Sequence, residues 1–348
     1  METGASPGTE AYDYPTFTAP EMEGVQRLSP VTWAALVLYG LVSLLGALGN
    51  GAVLFVMGFQ MRPTVNTVWF LNLAVADLLC CLALPFLIVL LAGDYHWSLG
   101  DFACKFFPSL TILNMFASIL LLTVISMDRC ALVVKPVWCQ NHRSRLLALA
   151  LCGAAWALAA LLTLPSFIIR TVKHDQSSGK TTCRVDYSLL VKDSRTAEVS
   201  VAVMRFVFAF LVPLAVISVC YGLLLCRVRS SRFMRSQKTL MVVLAVIAGF
   251  FVCWAPYHVA GLILASEPQG SPLFQSVSSA DPLIVGLACL NSCINPIIYV
   301  IAGQDFRGKA KHSLRAVLRN LLSEEAALAE GPRQATCTTE DRSASTGV

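Results

Sequence analysis

Apolar residues run almost without interruption through seven stretches of the chain: approximately Val31–Met57, Thr67–Leu91, Phe102–Val134, Leu146–Ile169, Ala197–Cys226, Thr239–Ala265 and Pro282–Ala302. A helix needs roughly 20 such residues to cross a bilayer. The stretches lack a broad polar face, as expected of helices that meet lipid or one another rather than water. The third is the least clean, because it ends in Asp128 and Arg129. The pattern predicts an all-α membrane protein. Its seven-transmembrane helix bundle occupies residues 31–303, after an N-terminal tail over 1–30. A short cytoplasmic amphipathic eighth helix is expected over 304–320, and a disordered cytoplasmic tail over 321–348. No internal repeat is visible, so an inverted-repeat transporter has little support.

Composition agrees. Of 348 residues, 56% are hydrophobic and only 14% charged, where soluble domains carry about a quarter. Charge then gives an orientation by the positive-inside rule. Lys135, His142, Arg143 and Arg145 follow the third stretch. Arg227, Arg229, Arg232, Arg235 and Lys238 precede the sixth, and Arg307, Lys309, Lys311, Arg315 and Arg319 follow the seventh. These belong to the cytoplasmic side. The leading segment is acidic, with Glu2, Glu10, Asp13, Glu21 and Glu23 against Arg27, and has no hydrophobic core of its own. No cleaved signal peptide is expected, and the first helix must start insertion. The net charge of +5 therefore points to lipid headgroups and cytoplasmic partners, not to nucleic acid. Of 13 cysteines, Cys104 and Cys183 alone fall on the oxidising side. They form a disulfide in this reading, the alternative being two free thiols.

Polar groups inside a bilayer are costly and usually functional. Asp77 lies midway along the second stretch, Asn50 in the first, Asn114 and Ser118 in the third, and Asn291, Ser292 and Asn295 in the seventh. Asn114 and Ser118 are four apart and share a helix face, as do Asn291 and Asn295. A carboxylate, amides and hydroxyls converging on a small wet pocket suit a monovalent cation or a proton-coupled switch. Hydrogen-bond glue between helices is the bland alternative, and spacing favours neither. Asp128-Arg129-Cys130 ends the third helix, and Pro213, Pro256 and Pro296 interrupt the fifth, sixth and seventh. Each proline removes a backbone hydrogen bond and permits a kink, which suggests a bundle with two conformations.

Taken together, these residues resemble the rhodopsin-like (class A) G-protein-coupled receptors. The resemblance rests on Gly49-Asn50, Leu73–Asp77, Asp128-Arg129-Cys130 with Cys where Tyr is usual, Trp156, Pro213 with Tyr221, Phe250–Tyr257, and Asn295-Pro296-Ile297-Ile298-Tyr299. It covers roughly residues 34–320. Further stretches are similar to the anaphylatoxin chemotactic receptors: Trp69–Leu78, Pro108–Leu110, Leu113–Met115, Lys135–Asn141, Val185–Tyr187 and Leu318–Asn320 with Glu324 and Glu325. That subfamily has a second, non-G-protein-coupled member, similar here over Phe250–Tyr257 and Pro282–Ala288, which lacks the arginine and final tyrosine of the inner motifs. Arg129 and Tyr299 favour the signalling type. Another chemoattractant peptide receptor is the remaining alternative, with a transporter more remote.

The resemblance implies a basic helical peptide or protein ligand of the complement component 5a type, ending in arginine. Tyr12, Asp13 and Tyr14, with the tyrosines sulfated, would capture it. Arg170 at the end of the fourth helix, Asp186, Glu198 and Arg205 in the fifth, Tyr257 in the sixth and Asp281 opening the seventh would bind it. Glu198 stands two turns from Arg205 on one face and is placed to tether it. Asp281 also reads as an N-terminal cap before Pro282. Thr111 and Phe116 depart from the subfamily pattern. Transmission would run through Trp254, Ile119, Pro213 and Phe250 to release of Arg129 from Asp128, with Tyr221 and Tyr299 moving inward. An inhibitory-class heterotrimeric G protein, receptor kinases and arrestin are the implied partners. Phosphorylation is expected at Ser323, Thr336, Thr338, Thr339, Ser343, Ser345 and Thr346. Asp77, Asn114, Ser118, Asn291 and Asn295 would hold an allosteric sodium ion, and no other cofactor is implied. The residues from Pro282 to Ala302 contain no lysine for a retinal Schiff base, and the five histidines are scattered, so neither a photoreceptor nor an enzyme is expected. The expected location is the plasma membrane, multi-pass, with the N-terminus outside and the C-terminus cytoplasmic.

Overall fold

A computed structural model describes residues 28–93, 95–174, 179–230 and 237–302, without the side chains of 228–230, 237–240, 242 and 298–302. Among the described residues, seven helices are long and apolar enough to cross a membrane. The first span joins α1 (Pro30–Phe55) to a π-helical turn, Val56–Gln60. The second is α2 (Val65–Ala92) and the third α3 (Gly100–Val134). A short α4 (Pro136–His142) precedes the fourth span, α5 (Arg145–Ile168). The fifth combines α6 (Ser194–Phe206), a π-helical turn at Val207–Leu211, and α7 (Val212–Ser230). The sixth and seventh are α8 (Gln237–Ser266) and α9 (Pro272–Ala302).

Local chemistry sets where these helices begin and bend. Ser29 accepts from the Thr32 amide while Pro30 sits in the first turn, so no donor is wasted there. Thr64 and Thr67 form a reciprocal capping box at the start of α2. Pro213 has no N–H to give, and its ring would crowd the carbonyl four residues back. The wider π turn just before it relieves that conflict.

The bundle buries its interior and leaves leucines outside. Trp69, Phe116, Ile119, Phe250 and Trp254 are fully enclosed, whereas Leu48 and Leu146 are 66% and 77% exposed. In water such a surface would be a severe liability; against acyl chains it is the proper covering. Small residues set the closest approaches. A Cβ at Gly49 would stand 3.0 Å from Pro296, so the first and seventh spans meet there only because Gly49 has none.

One end of the bundle carries an antiparallel hairpin, β1 (Arg170–His174) with β2 (Thr181–Val185). Cys183 of β2 is bonded to Cys104 of α3. Asp101 accepts from the Val172 amide at 3.2 Å, and Trp97 donates its indole N–H to Gly100 O at 2.8 Å. The hairpin is thereby fixed across that end of α3.

Two expectations change. The seventh helix starts at Pro272, so Asp281 lies well inside α9 and is not its N-cap. Arg170 does not end the fourth helix, which stops at Ile168, but opens β1 opposite Val185.

Candidate ligand-binding site

Beneath the hairpin the spans enclose a cavity of about 410 Å³. That is within the range of small-ligand sites, with room for the end of a chain but not for a folded domain. Its walls include Arg170, Glu198, Arg205, Tyr257 and Asp281. Five of the six predicted ligand residues therefore converge there from β1, α6, α8 and α9. Asp186 does not line the cavity. It is held on the hairpin side by Lys173 Nζ at 2.6 Å and by the Ser188 amide at 3.1 Å. These contacts, Lys173 first, pull its carboxyl down to about 2.

The charges in the cavity are incompletely matched. Arg205 is not tethered by Glu198. Its Nη1 instead donates to Tyr257 Oη at 3.2 Å and its Nη2 to Ser166 Oγ at 2.8 Å. Both acceptors come from neighbouring spans, Ser166 from α5 and Tyr257 from α8. Arg170 has no ion-pair partner among the described residues. Burial, then repulsion from Arg205, lowers its guanidinium below the ordinary value, and Tyr257, Tyr187 and Asp281 partly offset this. Two cations and the Asp281 carboxylate thus share one recess without an ion pair between them. Such a set is complementary to a group that carries both signs. Tyr187, His258 and Thr111 also line the cavity; Tyr187 stood in the resembling stretch Val185–Tyr187 without a role, and His258 carried no signal in hydropathy or motif.

From the cavity an aromatic path leads inward. Tyr257 meets Trp254 edge-on at 5.5 Å, and Trp254 meets Phe250 at 5.9 Å. Ile119, Phe250, Trp254 and Tyr221 belong to one buried cluster, with Pro213 also buried. Pro256 and Pro296 lie within α8 and α9. A displacement of Tyr257 has tightly packed neighbours to push against.

Deeper still, Asn295 donates to Asp77 Oδ2 at 2.7 Å. The Asn114 amide satisfies both its ends when its nitrogen faces Asp77 Oδ1 at 3.2 Å and Ser118 Oγ at 3.1 Å, and its oxygen accepts from Ser292 at 3.2 Å. Asn50 ties the first span to Ser292 O at 2.8 Å. The Asn295 oxygen and both ends of the Asn291 amide are buried without a partner, and Asn291 is not bonded to Asp77. A buried carboxylate with neutral oxygens around it is a donor set that suits a small hard cation.

At the opposite end of the bundle the acid and arginine are held differently from expectation. Asp128 stands 3.7 Å from Arg129 Nη2 but takes two bonds from Arg143, at 2.7 and 3.0 Å. Arg129 donates to Asn66 Oδ1 at 2.5 Å, and Arg143 shares that oxygen at 2.9 Å. Adjacent side chains on a helix diverge, so Asp128 is met more squarely by a residue from the next loop. Asn66 and Arg143 were missed; only the basic character of the loop hinted at the latter. Tyr12, Asp13, Tyr14, the helix expected over 304–320, and the sites from Ser323 to Thr346 lie outside the described residues, as does the side chain of Tyr299.

A cavity at one end of seven spans, an aromatic path and an arginine-acid cluster at the other end are the parts of a signalling receptor. The family model described as "7 transmembrane receptor (rhodopsin family)" matches residues 49–299, and the chain belongs to that family of multi-pass plasma-membrane G-protein-coupled receptors. Within it the chain is 49% identical over 325 residues to C5a anaphylatoxin chemotactic receptor 1 of Oryctolagus cuniculus, covering 91% of this chain and 92% of that one. It is 48% identical over 296 residues to the Homo sapiens protein of the same name, covering 85% and 83%. For that of Rattus norvegicus the figures are 47% over 319 residues, 90% of each. The chain is thus a receptor of the C5a receptor type and not an enzyme.

Proposed function

We propose that this receptor binds complement component 5a, with its N-terminus outside the cell. In this reading the hairpin end faces outward and the Asp128–Arg129 end inward. The ligand's C-terminal arginine enters the cavity. Asp281 receives its guanidinium, and Arg205, helped by Arg170, its carboxylate. The observation that carries the reading is the unneutralised set of Arg170, Arg205 and Asp281 in one recess. Sulfated Tyr12 and Tyr14 beside Asp13 add a negative tail that raises the encounter rate of a basic ligand. Signal passes through Trp254 and Phe250 to an inhibitory-class G protein, with kinases and arrestin acting on the C-terminal tail. Arg129 favours this over the non-coupled alternative. Sodium at Asp77 modulates the equilibrium. Since a ligand shifts a two-state bundle only by its differential affinity for the two states, the terminal arginine must contact the active form more closely.

The test is charge complementation in transfected cells, read as cyclic AMP inhibition. The parent should respond to component 5a and more weakly to its des-arginine form. Asp281→Arg should lose the native response by roughly ten- to a hundred-fold, the worth of one charge-assisted contact. It should regain part of it with a ligand ending in aspartate. Parent-level affinity of Asp281→Ala for both native and des-arginine forms would remove the contact.

A further inference from the structure

We propose that Tyr39 of the first span is a positioning residue for ligand recognition: its hydroxyl, bonded to the Pro282 carbonyl, holds the turn that aims Asp281 into the cavity. The inference rests on the reading that Asp281 receives the guanidinium of a C-terminal arginine.

The seventh span is locally weak at this turn. Pro282 stands inside α9, not at its start. It has no N–H to give to the carbonyl of Ser278, four residues back, and its ring crowds that carbonyl. Such a break permits a kink, and Asp281 is the residue immediately before it. An aspartate reaches only a short way from the backbone, so its carboxylate goes where the turn goes. A recess that must meet a guanidinium and a carboxylate at once needs that turn fixed.

Tyr39 supplies a tie where the helix ladder loses one. Its Oη donates to Pro282 O at 3.0 Å across a sequence separation of 243, joining α1 to α9. The ring is buried in a cluster with Leu84 and Cys289. One turn further along α9, Gly286 makes room for it. A Cβ there would stand 3.0 Å from Tyr39 Cε1 and 2.7 Å from Leu38 Cδ2, so the two helices close on each other only because that residue has no side chain. Tyr39, Asp281 and Pro282 all line the cavity, and Tyr39 stands within electrostatic reach of Asp281. A tyrosine hydroxyl has a single proton. Here it goes to the backbone and not to the Asp281 carboxylate, which stays open to a ligand. A bond that merely held two spans together would have no bearing on the last residue of that ligand.

The experiment measures binding of component 5a and of its des-arginine form to the full chain in lipid nanodiscs. Tyr39→Phe removes the hydroxyl and keeps the ring. It should weaken the native ligand by roughly three- to ten-fold, the scale of one neutral hydrogen bond, and leave the des-arginine form within about two-fold. In an Asp281→Ala background Tyr39→Phe should add nothing, since no carboxylate is left to place. Gly286→Ala, which pushes the ring aside with its hydroxyl intact, should reproduce the selective loss; should that variant fail to fold, Tyr39→Phe carries the comparison alone. Parent-level affinity of Tyr39→Phe for the native ligand overturns the proposal. So do equal losses for both ligand forms, the mark of a general tie between spans, and a loss that persists in Asp281→Ala, the mark of a direct ligand contact. A second readout needs no ligand. Amide hydrogen exchange across Pro282–Gly286 should be faster in Tyr39→Phe than in the parent, and unchanged exchange also overturns the proposal. Equal binding of both ligand forms by the parent counts against the Asp281 contact of the proposed function instead, and the exchange rates then decide whether Tyr39 holds this turn.

Discussion

The Asp186 carboxyl shows how one side chain's surroundings set its range of action. Lys173 and Ser188 hold it at about 2, well under an ordinary carboxylate. A depressed folded value means that the Lys173–Asp186 contact contributes fully above the ordinary value, near 4. It is lost only as pH falls through about 2. The Lys173–Asp186 contact should therefore stay closed at mildly acidic pH. Lys173→Met should return Asp186 toward the ordinary range, as followed by carbonyl NMR of aspartate-labelled receptor; an unmoved titration would mean that Lys173 is not the cause. At the other end a single guanidinium carries the output in the proposed mechanism. Arg129 is remote from the cavity and half-satisfied by Asn66. Arg129→Ala is expected to abolish nucleotide exchange while component 5a binding stays within about two- to three-fold of the parent, the span of a change near 0.5 kcal/mol. Undiminished exchange in membranes of that variant would refute the role.

Elements hold these side chains in register, and the bond between Cys104 and Cys183 matters most at the hairpin end. It joins α3 to β2 across a sequence separation of 79, a loop for which chain entropy gives about 4–5 kcal/mol. Spans already inserted in a bilayer are less free than that estimate assumes, so this is an upper figure. Cys104→Ser or Cys183→Ser should loosen the hairpin that places Arg170, and with it surface expression or ligand binding. Both thiols alkylating in the unreduced parent would exclude the bond. The spans themselves were legible because long apolar runs have few other uses. What hydropathy could not see lies where the chain leaves the apolar region. The first turns of α9, with Gln275, Ser276, Ser278 and Ser279, carry no membrane signal, so the apolar pattern starts the helix at Pro282 and leaves a cap as a second reading of Asp281 beside its ligand role. The β hairpin was missed because its register depends on Cys183 and Asp101 rather than on alternation. Of the cavity, Arg205 and Asp281 stood out as charges in or beside apolar runs. The actual partner of Asp128, fifteen residues on, is set by the seating of α4, which no local pattern encodes.

On the scale of the whole molecule, the buried polar cluster lies between the ligand cavity and the Asp128–Arg129 end and touches the spans that both depend on. Asp77 of α2 is met by Asn295 of α9 and by Asn114 of α3, and Asn50 binds the first span to α9 at Ser292. A sodium ion seated on Asp77 and its neighbouring oxygens would tie these spans together and favour whichever bundle state brings them closest. Agonist favours the other state. Linkage then requires that each ligand weaken the other by one factor, commonly about 5- to 150-fold. Replacing choline by sodium at constant ionic strength should lower the parent's affinity for component 5a, and raising agonist should lower its affinity for sodium. Constant ionic strength is essential, because salt also screens the acidic tail from a basic ligand. Asp77→Asn keeps the volume and the hydrogen-bonding capacity but removes the charge that a cation needs. In that variant agonist affinity should no longer depend on sodium, while its dependence on total ionic strength stays as in the parent. Equal sodium dependence in the two proteins would leave the cluster as interhelical hydrogen bonding alone, with no ion in the switch.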